Sequence, residues 1–208
     1  MPSQIVDQVY DITCREGDDG SRYRVFLFTD GTPTLFDTGL PDTVDAVRAA
    51  VDEIGVEPER LVVTHGDGDH VGGYESIVDA YDLETWVPIQ TDDELTPEPT
   101  HRYEGGDTIG RFTAVHVPGH EPDNHALIDE EAGIAVLGDA VSGADQRGLP
   151  SGHFHLPPAV YSQDLNQAEE SLERLLSYEF EVGLVFHGSS VTENASGKLD
   201  RYVNFVGK

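Results

Sequence analysis

The spacing of apolar positions changes several times along the chain, and each change marks an element. Ile5, Val6, Val9, Tyr10 and Ile12 alternate loosely, which predicts a strand over residues 4–13. Residues 23–28, Tyr-Arg-Val-Phe-Leu-Phe, predict a second strand after the turn residues Gly17-Asp18-Asp19-Gly20. Residues 34–36 predict a third, entered through the hairpin signal Thr29-Asp30-Gly31. The period then lengthens: Val44, Val47, Val51 and Ile54 recur at three- and four-residue intervals, the mark of an amphipathic helix over 42–54. Leu61-Val62-Val63 predicts a short buried strand that runs into a loop of histidines, aspartates and glycines. A helix over 73–80 and strands near 85–88, 112–117, 125–129 and 134–137 follow. Residues 140–163 are rich in Gly, Pro, His and Ser and predict a long irregular segment of the kind that often serves function. A helix over 165–176 and a last buried strand over 182–186, ending at His187, complete the pattern. Strands followed by helices in this order suit packed sheets with helices on their outer faces.

Composition narrows the partners. The 208 residues carry 40 Asp+Glu against 12 Lys+Arg, a formal net charge of −28. That balance argues against a nucleic-acid partner or an anionic membrane surface, because both need clustered Lys and Arg. The length suits a single domain spanning 1–208, able to bury roughly 70% of its unfolded surface without staples. Cys14 stands alone, which excludes an internal disulfide and a Cys-only zinc site. Ten of the twelve basic residues are arginines, and acidic residues are spread along the whole chain, as in proteins adapted to high salt. The N-terminal Met1-Pro2-Ser3-Gln4 shows no basic or apolar leader, and no run reaches the roughly 18 apolar residues of a membrane span, so a cytoplasmic location is expected.

The chemistry concentrates in Thr64-His65-Gly66-Asp67-Gly68-Asp69-His70. Four metal-ligand side chains, His65, Asp67, Asp69 and His70, fall within six residues. Gly66 and Gly68 let the backbone turn tightly between them. The i, i+2 spacing lets His65 and Asp67 face one ion, while Asp69 and His70 can face a second.

This segment resembles the metallo-β-lactamase superfamily, whose signature is His-x-His-x-Asp-His after a strand. The chain also carries similar motifs in the family's order: Asp37-Thr38-Gly39, Pro118-Gly119-His120, Gly138-Asp139 and Phe186-His187-Gly188. The resemblance covers residues 23–190 or so. It implies an α+β fold, a four-layer αββα sandwich with a dinuclear metal centre at one edge. It assigns His65, Asp67 and His120 to one ion and Asp69, His70 and His187 to the other, with Asp139 bridging. Asp37 is then either an acceptor supporting a ligand or a simple turn cap.

One position departs from the pattern. Asp67 stands where most members carry histidine. Two divalent ions bring +4, three aspartates −3 and a hydroxide −1, so the site is neutral and one unit less positive than usual. Its water should be less acidic, and its preference should tilt from zinc toward manganese or iron. Asp67 could also be too short to ligate, leaving the first site weak.

The resemblance implies a metal-dependent, glyoxalase II-like hydrolase with two divalent ions, zinc first, with manganese or iron as alternatives. A hydroxide in the dinuclear site would attack the carbonyl of a thioester, lactone or other ester, with Asp69 orienting it and taking a proton. The partner would be a small-molecule substrate contacted by His153, His155 and Tyr161 of the irregular segment. A diiron redox or oxygen-sensing domain related to flavodiiron proteins is the alternative, and a metal-stabilised binding protein without turnover is a third reading. His116 is expected as an ordinary half-buried strand residue, and Asn124 and His125 at the surface, with contact to the site as the alternative.

Overall fold

A computed structural model of the chain describes residues 1–17, 21–91 and 94–205. Of the expected turn at 17–20, Asp18, Asp19 and Gly20 lie outside the described residues. The chain forms two compact units, residues 1–103 and 104–208. No described helix is long and apolar enough to cross a membrane.

The first unit is built on a seven-stranded sheet whose spatial order follows the chain. Its strands are β1 (Ser3–Val6), β2 (Val9–Glu16), β3 (Arg22–Phe28), β4 (Thr34–Phe36), β5 (Arg60–Val62), β6 (Glu84–Pro88) and β7 (His101–Tyr103). The single strand expected over 4–13 is instead a hairpin, with Val6 opposite Val9 and Gln8 at φ 61° in the turn. Alternation alone could not reveal it, because Asp7-Gln8 carries no glycine to mark the reversal. β1 to β4 run antiparallel, and β4 to β7 pair in parallel. Parallel neighbours need crossovers, and helices supply two of them. A 3₁₀ turn (Pro41–Thr43) and helix α1 (Val44–Ile54) link β4 to β5, and α2 (Gly68–Val71) with α3 (Tyr74–Tyr81) link β5 to β6.

The apolar stripe of α1, Val47, Ala50 and Val51, and that of α3, Tyr74, Ile77 and Val78, share one core with Val25, Leu27, Leu35 and Leu61 of the sheet. Gly55 at φ 77° ends α1 by donating its N–H to the Val51 carbonyl. Phe26, Phe28 and Phe36 are also buried, so β3 and β4 are covered on both faces. That explains their unbroken apolar runs.

The second unit holds a five-stranded sheet ordered β14-β11-β10-β9-β8. Four strands form an antiparallel meander: β8 (Thr108–Ile109), β9 (Phe112–His116), β10 (His125–Asp129) and β11 (Ile134–Val136). The segment after β11 is less irregular than its composition implies. It contains a two-stranded ribbon, β12 (Ser142–Gly143) with β13 (Phe154–His155), and two 3₁₀ turns. Helix α4 (Leu165–Ser171) is capped by the Asp164 carboxylate, which accepts from the N–H groups of Asn166 and Gln167 at 3.0 Å each. The expected helix over 165–176 then tightens into a 3₁₀ turn at Leu172–Ser177, which buries Leu172 and Leu175 on one face. Strand β14 (Val182–Leu184) returns parallel to β11, and α5 (Ala195–Val203), which the sequence pattern did not reveal, packs Ala195 and Leu199 into the same core.

Candidate metal centre

In the first unit the ligand loop leaves the carboxyl ends of adjacent parallel strands, where sites of such sheets lie. Asp37, at φ 61° just beyond β4, donates its N–H to the Val62 carbonyl at 3.0 Å. Its carboxylate, fully buried, accepts from the Thr64 N–H and the Thr64 hydroxyl at 2.7 Å each. The same carboxylate lies 2.7 Å from His70 Nδ1. Burial pushes the Asp37 carboxyl above its ordinary range, and His70 and Thr64 work against that. Asp37 therefore hydrogen-bonds the ring of His70, the contact that the first of its two expected roles requires. Its neighbour Thr38 holds the other end of the same residue: its N–H and hydroxyl reach the His70 carbonyl at 2.8 and 2.9 Å.

Proton counting fixes two tautomers. Thr64 has one hydroxyl proton, and the Asp37 carboxylate takes it. Thr64 Oγ1 must then accept from His65 Nδ1, 3.1 Å away. His70 Nδ1 likewise donates to the carboxylate. Both rings so assigned carry a lone pair on Nε2, the atom a metal would use. Within this unit the donor atoms of His65 and Asp67 lie within 4.8 Å of each other, as do those of His65 and His70 and those of Asp69 and His70. Asp67 begins α2, yet its carboxylate makes no cap hydrogen bond; its backbone carbonyl accepts from His70 and Val71 instead.

The second unit gathers His120, Asp139 and His187. Asp139 Oδ2 lies 3.5 Å from His120 Nε2 and 3.3 Å from His187 Nε2. The Ser162 hydroxyl donates to the Pro158 carbonyl, so it accepts from His120 Nδ1 over a long 3.4 Å. That again leaves the lone pair on Nε2, facing a carboxylate. Two such acceptors suit a shared cation: donors about 2.1 Å from one ion at a tetrahedral angle stand about 3.4 Å apart. Imidazole nitrogen and carboxylate oxygen are also the donor chemistry such an ion needs, so the residues fit the group.

Glycines let the backbone hold these candidate ligands. At Gly119, φ 135°, a Cβ would lie 2.1 Å from the Ala168 backbone nitrogen, so the His120 loop presses directly on α4. Gly143 and Gly188 make a similar close approach beside His187, whose carbonyl accepts from the Gly143 N–H at 2.8 Å. Asp145 closes that corner by accepting from the Ser189 N–H and hydroxyl at 2.7 and 2.6 Å.

The three expected substrate contacts all lie in the second unit. His153 is exposed. His155 is half-buried on β13, with Nδ1 on the Leu156 carbonyl, and burial pushes its imidazole down. Tyr161 is 69% exposed, one residue from the hydroxyl that meets His120. The supporting residues Thr64, Ser162, Asp145 and Ser189 escaped sequence reasoning, because a lone Ser, Thr or Asp in a loop carries no spacing signal.

Asn124 and His125 correct the expectation of a surface role: both are fully buried. His125 Nδ1 meets the Asp123 carbonyl at 2.7 Å, and its ring stacks on His116 at 4.8 Å. Burial, aided by His116 and opposed by the Asp123 backbone and Asp107, pushes its pKa from 6.5 down to about 4. The unfolded chain then binds a proton between those values that the folded chain does not. The stability present above pH 6.5 should therefore fall as pH drops toward 4, by about 3 kcal/mol from this group. Urea unfolding across that range should show the decline, and His125→Phe should flatten it. An equally steep decline in the variant would remove His125 as its cause.

A family model described as the metallo-beta-lactamase superfamily matches residues 18–187. A "Probable metallo-hydrolase YflN" of Bacillus subtilis is 25% identical over 201 residues, covering 76% of each chain. An "Atrochrysone carboxyl ACP thioesterase" of Aspergillus fumigatus is 29% identical over 173 residues, covering 80% of this chain and 37% of that one. The chain spans about a third to just over half the length of most curated relatives it matches. Among solved structures, that of TTHA1623 in a di-iron-bound form has a TM-score of 0.70 at 24% identity, covering 94% of this chain and 99% of that one. This likeness shows the fold, the α+β fold expected from the sequence.

Proposed function

The chain belongs to the metallo-beta-lactamase superfamily, and from that membership we propose that it is a metal-dependent hydrolase of a small thioester, lactone or other ester. The observation that carries the proposal is the placement of Asp139 Oδ2 at 3.5 and 3.3 Å from the Nε2 atoms of His120 and His187. In this proposal the two half-sets share one dinuclear centre. His65, Asp67 and His120 would hold one ion and Asp69, His70 and His187 the other, with Asp139 supplying a further carboxylate. Divalent ions bound there would supply Lewis acidity to a carbonyl oxygen and acidify water. Asp37, Thr64 and Ser162 contact the rings that would hold them. Asp69, partly exposed at the start of α2, would accept the proton of the attacking water on its carboxylate. His153, His155 and Tyr161 would face the substrate. The thioesterase name of one relative supports a thioester as the first substrate to try.

The test is hydrolysis of a panel of small thioesters, lactones and aryl esters by protein purified without chelator. Activity should vanish with chelator and return with zinc or manganese. Asp67 favours a second reading, a diiron redox domain; the di-iron form of one structural neighbour supports iron as the metal. An iron-containing, oxygen-sensitive visible spectrum with no hydrolysis of the panel would favour that reading.

The unusual ligand gives a separate test. Asp67→His should raise the preference for zinc over manganese, because imidazole is the softer donor. It should also lower the pH midpoint of hydrolysis, because a more positive site acidifies its water. Asp67→Ala should lose one ion of two. Two tightly bound ions and unchanged activity in Asp67→Ala would show that Asp67 is not a ligand.

A further inference from the structure

Asn124 lies at the junction of two loops of the second unit. Residues 118–123 leave β9, carry His120 and return to β10. Asn124 closes that loop: its carbonyl accepts from the Val117 N–H at 2.8 Å, and its side-chain Nδ2 donates to the Val117 carbonyl at 3.1 Å. The other side of the same amide faces the second loop, where Oδ1 accepts from the Asp139 N–H at 3.0 Å. Both partners are backbone groups of fixed polarity, so the amide has a single orientation that satisfies them. Asn124 and Asp139 are 0% and 4% exposed, so these bonds have little competition from water.

We infer that Asn124 is a positioning residue for the metal centre, a strut that sets the separation between His120 and the Asp139 carboxylate. The inference rests on the dinuclear reading above. An amide suits the place because it offers a donor to one loop and an acceptor to the other. Leucine has nearly the same shape and offers neither. Aspartate keeps the acceptor for the Asp139 N–H but turns a second acceptor against the Val117 carbonyl. Asn124 touches no reacting atom, so its effect should appear in ion affinity before it appears in anything else. Supports of this kind typically change metal affinity by roughly 10–100-fold.

The experiment is titration of the metal-free full chain with zinc against a competing chelator, alongside thermal unfolding of the metal-free form. Asn124→Leu should weaken zinc binding about 10–100-fold, and Asn124→Asp, which preserves half of the strut, should also bind more weakly than wild type if the leucine variant does not fold. Leu199→Ala, in the α5 core away from the strut, should lower the melting temperature yet leave zinc affinity at the wild-type value. Wild-type affinity in the folded Asn124 variants would overturn the strut, as would an equal loss of affinity in Leu199→Ala. Failure of the wild-type chain to bind zinc, manganese or iron would instead overturn the dinuclear reading on which the strut rests.

Discussion

Asp37→Asn should leave the chain folded and remove most of its activity. The asparagine can still accept one hydrogen bond from Thr64, but its amide can donate to His70 Nδ1, where the carboxylate accepts at 2.7 Å. That contact favours the tautomer protonated on Nε2, the atom meant for the metal. A wrong tautomer behind a catalytic histidine costs about 10⁴-fold in the best-studied case, and a lost outer partner costs roughly 10–100-fold in metal affinity. The expected loss in kcat/KM is therefore about 10²–10⁴-fold, with depleted metal at the site that holds His70. Metal content and steady-state kinetics on the same preparation decide. A variant with full metal and near wild-type kcat/KM would return Asp37 to the role of a turn cap.

Gly119→Ala should be the most damaging single methyl group in the second unit. The added carbon would meet backbone, 2.1 Å from the Ala168 nitrogen and 2.3 Å from its Cα, at a φ of 135° that side chains avoid. Neither loop nor helix can yield cheaply. The Gly119 carbonyl accepts from the Asp164 N–H at 2.8 Å, and the Ser171 hydroxyl binds the Pro118 carbonyl at 2.7 Å. Overpacking and backbone strain together should cost about 3–5 kcal/mol. Gly148→Ala is the control: its φ is also positive, at 73°, but nothing lies within 4 Å of the added carbon. It should cost only about 1–2 kcal/mol. Thermal unfolding of both variants tests the comparison, and equal losses would mean that the close approach at Gly119 is not what matters.

The legible parts of the sequence were those set by periodicity and by ligand spacing. Residues 125–129 formed a strand as expected, a short run buried on both faces, and α1 followed the three- and four-residue stripe that buries one face. The segment 65–70 announced itself through four donors in six residues. Single residues whose roles depend on distant partners were hidden. Nothing beside Asn124 in the chain predicts a bond to Asp139, fifteen residues away. The hydroxyl of Ser162 reaches His120 across forty-two residues. Helix α5 was missed because Ser196, Gly197 and Lys198 interrupt its apolar positions; Ala195 and Leu199 are buried, and Tyr202 and Val203 pack only partly buried against the core. The β1–β2 hairpin was missed because Asp7-Gln8 carries no glycine to mark its two-residue turn.

The proposed function requires a dinuclear metal centre. A crystal structure of the metal-loaded chain, with anomalous scattering measured at the edge of the bound metal, tests that requirement. The expected result is two ions roughly 3.5–4 Å apart, with Asp139 touching both, His120 on one and His187 on the other. A single ion held by only one half-set, or two ions with His120 or His187 far from both, would contradict it.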